Sequence, residues 1–150
     1  MNAELPMSAA GPVDVVALPF NSLLNMHPAT EPDQLLELPA GSQYLNHVGT
    51  VHAGALLTLA EASSAEFLLR RCGSAQDILP LVRRVEAKFR HPARGAVTST
   101  ASIAPESIER AISDLAAKGR AILYVAVELY DESGTHAMSA VIEWFVQRRP

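Results

Sequence analysis

The chain has 150 residues, of which 49% are hydrophobic, 19% charged and only 5% aromatic, enough for one ordinary domain with a largely aliphatic core. Its formal net charge of −4 argues against general nucleic-acid binding, which usually needs a basic surface. A single cysteine, Cys72, excludes an intramolecular disulfide and fits a reducing compartment.

The start, Met-Asn-Ala-Glu, has no basic stretch ahead of an apolar run, which argues against a secretory signal and for a soluble cytoplasmic protein. Residues 1–19 are rich in Ala, Pro and small residues and read as a flexible lead-in to a domain over 20–150. Residues 20–26 predict a short helix, ended by Pro28 and Pro32. Leu35, Leu36 and Leu38 predict a first strand, stopped by Pro39, Ala40 and Gly41.

Residues 50–71 predict one long helix, with Thr50 as cap, Arg70 and Arg71 near its C-terminus and Gly73 as its stop. Apolar residues lie nearly all the way round it, so protein should surround it. His52, Glu61, Ser63, Ser64 and Glu66 make it a poor membrane span. Residues 78–91 read as a strand, with Val85, Ala87 and Phe89 on one face and Arg84, Glu86, Lys88 and Arg90 on the other.

A second strand follows at 96–103 and an amphipathic helix at 105–118, with Pro105 near its start and Gly119 just past its end. Strands at 121–130 and 135–146 flank a turn at 131–134. Several strands after one buried helix indicate an α+β domain with a largely antiparallel sheet.

Glu61 stands about two turns inside that apolar helix, where an ionised carboxylate is costly unless it is paired or hydrogen-bonded. The polar turn ahead of the helix delivers backbone N–H groups that can hold an oxyanion. The combination suits acyl transfer. Glu61 could activate a water or attack a carbonyl directly; an arginine partner or solvent is the structural alternative. Ala53 and Gly54 enter by their backbone N–H groups, with tight packing at the helix start as the alternative.

The order of elements, with Asn46-x-x-Gly49-Thr50-Val51-His52-Ala53-Gly54 leading to Glu61, resembles the hotdog-fold acyl-CoA thioesterases. The group that includes the phenylacetate-pathway thioesterases and related bacterial proteins is the most similar. Their pattern is an Asn, a Gly, then His-Gly-Gly at a helix start and an acidic residue further along. Here Ala53 replaces the first Gly of the pair, and His91-Pro92-Ala93 resembles the family's strand-ending turn. The replacement keeps the backbone N–H but would be strained at a positive φ.

The resemblance implies an antiparallel sheet wrapped around one long central helix, and a homodimer or dimer of dimers with its acyl pocket between subunits. It also implies hydrolysis of an acyl-CoA thioester, with coenzyme A as part of the substrate and no separate cofactor. A non-catalytic acyl-CoA-binding protein and a hotdog dehydratase or hydratase are the alternatives. Asn46 could orient water or the substrate carbonyl, or simply hold a turn. His52 could add a donor or order the loop.

Ser64, one turn beyond Glu61, could bond the carboxylate, although helical serines more often bond their own backbone. Arg83, Arg84, Lys88 and Arg90 could meet the phosphates of coenzyme A, or form a solvated strand face. Arg83 falls with the apolar residues by strand parity and so needs a partner, for which Glu61 of another subunit is a candidate. No histidine or acidic spacing suits zinc, so no metal is assigned. Gly49 to Gly54 has phosphate-loop spacing but lacks the Lys-Ser/Thr that should follow.

Overall fold

A computed structural model describes residues 13–72 and 78–150. Short 3-10 turns occur at Val15–Ala17 and Ser42–Tyr44. The main elements are α1 (Pro19–Leu23), β1 (His27–Pro28), β2 (Leu36–Leu38), α2 (Ala53–Cys72) and β3 (Ile78–Phe89). They continue with β4 (Val97–Ser102), α3 (Pro105–Lys118), β5 (Arg120–Asp131) and β6 (His136–Arg148). The strands form one antiparallel sheet in the order β1-β2-β4-β5-β6-β3, so the expected α+β class holds.

Period-two alternation builds the core. Leu123, Val125, Val127 and Leu129 of β5 are buried and pair with Trp144, Ile142, Ala140 and Met138 of β6, which share their face. Leu56, Leu59, Ala60, Ala62 and Leu68 of α2 belong to the same buried cluster. A polar thread crosses it: the hydroxyls of Ser63 and Ser99 lie 2.6 Å apart, and Ser99 Oγ accepts the Leu36 N–H at 3.1 Å. This satisfies the buried hydroxyls while tying α2 to β4 and β2.

Helix α3 has the bounds its sequence predicts. Gly119 closes it at φ 72°, donating its N–H to the Leu115 carbonyl at 3.1 Å. Three expectations shift. Residues read as lead-in include Val15, which is buried in the core, and its carbonyl accepts from Asn21 Nδ2 at 2.9 Å. The long helix begins at Ala53, not Thr50, because Thr50 is tied into the preceding turn. The expected stop at Gly73 lies outside the described residues.

The third shift is in β3. Val82 pairs with Trp144 and Arg84 with Glu143, leaving Arg83 as an extra residue in a bulge. Strict parity therefore misplaced Arg83: it is not set with Val85, Ala87 and Phe89 by alternation. Its Nε lies 3.4 Å from Glu143, which alternates with the buried Ile142 and Trp144 on β6 and so faces away from α2. The partner it needs is on its own chain.

Candidate active site at the start of the long helix

His52 caps α2. Its carbonyl accepts from the Ala55 and Leu56 N–H groups at 3.0 and 3.2 Å, and its ring Nδ1 accepts from the Gly54 N–H at 2.9 Å. The imidazole thus does the work usually given to a Ser or Asp oxygen, which sets its proton on Nε2. Ala53 has no positive φ, since Asn25 is the only non-glycine residue with one among the described residues. The Ala-for-Gly replacement is therefore free of backbone strain, and no group among the described residues accepts the Ala53 N–H.

The approach to the helix is braced from three sides. Asn46 Oδ1 accepts the N–H groups of Val48 and Thr50 at 3.0 and 3.1 Å, while its Nδ2 donates to Thr50 Oγ1 at 2.9 Å. Gly49, at φ 77°, takes the left-handed conformation this turn needs. The Val51 N–H donates to the carbonyl of Ala93 at 2.9 Å, and the His52 N–H to that of Tyr44 at 2.7 Å. The His91-Pro92-Ala93 turn thereby supports the helix start, and Asn46 has a turn-holding part.

A cavity of about 270 Å³ opens beside this N-terminus, lined by Phe20, Leu24, Tyr44, Leu45, His52, Gly54 and Thr58 among others. Glu61 does not line it. Gly54, Thr58, Glu61 and Ala65 form an accessible stripe along a helix otherwise mostly buried. Burial pushes the Glu61 carboxyl above the ordinary range, and no hydrogen bond or charge among the described residues offsets that rise. Seven residues of helix separate Gly54 from Glu61 by about 10 Å, too far for both to reach one thioester carbonyl.

Ser64 is corrected. It is fully buried, donates to the Glu61 backbone carbonyl at 2.7 Å and accepts from Trp144 Nε1 at 3.0 Å. Its hydroxyl bonds its own helix and a strand, and it lies out of a substrate's reach. The basic residues lie apart from Glu61. Arg84 pairs with Glu86 at 3.1 Å, and Arg90 Nε donates to Ser139 Oγ at 2.7 Å. Lys88 lines a shallow depression with Glu128 and Ser139. These groups occupy the sheet face turned away from α2.

His52 as cap and the Trp144–Ser64 bond were missed at the sequence level. The first is legible in principle from a polar ring two residues before Gly54; the second joins residues 80 apart and has no local signal. Among the described residues no group of three His, Cys, Asp or Glu side chains could hold a metal, and no helix is long and apolar enough to cross a membrane.

A six-stranded antiparallel sheet wrapped on one long helix, entered through a glycine-containing turn, is the hotdog fold. The chain belongs to the family described as domain of unknown function DUF4442, whose model matches residues 19–146. No curated protein matches it. Among solved structures it is similar to a Pseudomonas aeruginosa protein of unknown function described as a probable thioesterase, with 24% identity and a TM-score of 0.76. That match covers 92% of this chain and 98% of the other.

A Haemophilus influenzae thioesterase is 17% identical with a TM-score of 0.68, covering 89% of this chain and 86% of its own. A Bacillus halodurans protein solved with coenzyme A is 18% identical with a TM-score of 0.65, covering 85% and 74%. The likeness establishes the fold that the sequence led us to expect.

Proposed function

We propose that the protein hydrolyses acyl-CoA thioesters at a site shared by two copies of the chain. The observation that carries this reading is the division along α2. Unpaired backbone N–H at Ala53 opens beside an apolar cavity, while a half-buried, unpartnered Glu61 stands on the same stripe but out of reach. A second copy closes that gap. Coenzyme A in a structural neighbour supports the choice of thioester.

In this mechanism the substrate carbonyl oxygen sits on the N–H groups of Ala53 and Gly54 of one subunit, His52 rotating off the Gly54 N–H as it enters. Glu61 of the other subunit takes a proton from water, whose oxygen attacks the carbonyl carbon. The oxyanion of the tetrahedral intermediate is held by the two N–H groups. Its collapse breaks the C–S bond and the thiolate leaves, taking a proton from Glu61 or solvent. Asn46 positions the turn that aims these donors. Arg83, Arg84, Lys88 and Arg90 offer charge to the coenzyme A phosphates; the Arg84–Glu86 pair is exposed and weak enough to exchange.

The dimer has structural support of its own. β3 is paired on one edge only among the described residues, and its α2-side residues Val85 and Phe89 are 41% and 49% exposed. A twelve-residue edge strand with uncovered apolar side chains offers a template on which a second chain can pair. A second reading, binding of acyl-CoA without turnover, is favoured by the His52 ring already holding the Gly54 N–H.

The two separate in one assay. Across a panel of acyl-CoAs, wild type should release free thiol and Glu61→Gln should lose about 10²–10⁴ in rate. Equal rates in a folded variant remove Glu61 from the mechanism. Binding without thiol release by wild type decides for the second reading.

A further inference from the structure

At the other end of α2, a cavity of about 440 Å³ lies between the last turns of that helix, α3 and the ends of β5 and β6. Well-packed interiors leave few voids larger than a water, and this volume is in the range of ligand sites. The void has a local cause. Ala111 is the one buried residue of α3, and its small side chain faces the sheet where a larger one would fill the space. Ile112, also at the cavity, stays 63% exposed.

Of the twelve described residues that line the cavity, ten are apolar, and the other two are Arg71 and Arg148. Among the described residues no carboxylate lines it, although the chain carries a net charge of −4. Arg70 is ion-paired with Glu66, but neither Arg71 nor Arg148 is in an ion pair among the described residues. Arg71 packs its guanidinium over the Phe67 ring at 5.3 Å and also suits the C-terminal end of α2.

Arg148 is the exposed last residue of β6. It follows Ile142, Trp144 and Val146 in the alternation that points side chains of β6 toward the core. Both guanidinium groups are solvent-exposed and stand where the apolar cavity meets solvent, an arrangement that suits an anion with an apolar body. We propose that this cavity binds a monocarboxylate with a medium-length alkyl chain, the chain under α3 and the carboxylate between Arg71 and Arg148. Planar guanidinium groups match a carboxylate better than any other common cation does.

The cavity shares no lining residue with the thioester site: along α2, Leu68 stands about 21 Å from Gly54 and about 10 Å from Glu61. The test titrates decanoate into the full chain with its isoleucine methyl groups labelled for NMR. Saturable shifts are expected at Ile103, Ile108 and Ile112, which line the cavity, with Ile122, which does not, unmoved. Decanol should bind at least about tenfold more weakly, and Arg148→Gln should weaken decanoate by about tenfold or more.

Arg148→Lys, keeping the charge without the fork, should fall between. An unmoved set of cavity isoleucines overturns the proposal, as does equal binding of decanol or an undiminished affinity in Arg148→Gln. The readout needs no turnover, so the fate of the hydrolase reading leaves it unaffected.

Discussion

Two carboxylates of this chain are displaced in opposite directions, and each displacement makes a prediction. Burial raises Glu61, so ionising it costs the folded state: the stability it permits at low pH is lost as pH rises through its folded pKa. Glu61→Gln should therefore melt no lower than wild type at neutral pH, whatever it does to activity. If Glu61 is the base, the acid limb of kcat/KM lies above the ordinary glutamate range, because the ionised form is required. Asp131 behaves in the reverse sense. Burial pushes its carboxyl up, but the backbone N–H groups of Arg94, Thr135 and Ser133 outweigh that and hold it low. Its contribution is present above the unfolded aspartate pKa and is lost as pH falls through the lower folded value. Asp131→Asn should cost about 1–3 kcal/mol at neutral pH and flatten the acid side of the stability profile, measured by denaturant titration at several pH values. At Gly54 the limit is steric: an added Cβ would meet His52 Nδ1 at 3.2 Å. Gly54→Ala should push the ring off its cap and cost about 1 kcal/mol, seen as a lower midpoint with an unchanged m-value.

Among the elements, what the sequence disclosed depended on how far away the deciding contacts lay. Helix α3 is bounded by its own proline and glycine, and both boundaries could be read locally. The start of α2 was misread because Thr50 looks like a cap, yet Asn46 claims its hydroxyl and its N–H. Glu61 stood out because a carboxylate in an apolar helix is unusual. Ser64 was misjudged because its partner, Trp144, is on the last strand. In β3 the alternation is right on either side of Arg83 and wrong through it, since a bulge has no obligatory sequence mark. Deleting Arg83 should be tolerated about as well as Arg83→Ala. The deletion takes out the extra residue and leaves Val82 opposite Trp144 and Arg84 opposite Glu143 in unbroken alternation, and the substitution removes an ion pair worth about 0–1 kcal/mol. Soluble yield and circular dichroism of both variants should stay near those of wild type.

For the whole molecule, a site shared between copies has a signature no monomeric enzyme can produce. Two inactive variants, Glu61→Gln and Gly54→Pro, should regain activity when unfolded together and refolded as a mixture. Each mixed dimer then holds one intact site, so about a quarter of wild-type activity should return. No recovery, with mixed dimers present by native mass spectrometry, would place both halves in one chain. Sedimentation should show a dimer that Phe89→Glu weakens, since that residue lies on the open strand edge. The bond from Trp144 to Ser64 offers a way to watch such events. Trp144 is the only tryptophan of the chain, and its indole N–H is fixed to the helical turn that follows Glu61. Its emission therefore comes from a single fluorophore at the seam between the helix and the sheet. A shift in wavelength or lifetime on mixing with thioester would time the movement of that helix directly, without a label and before any product has formed.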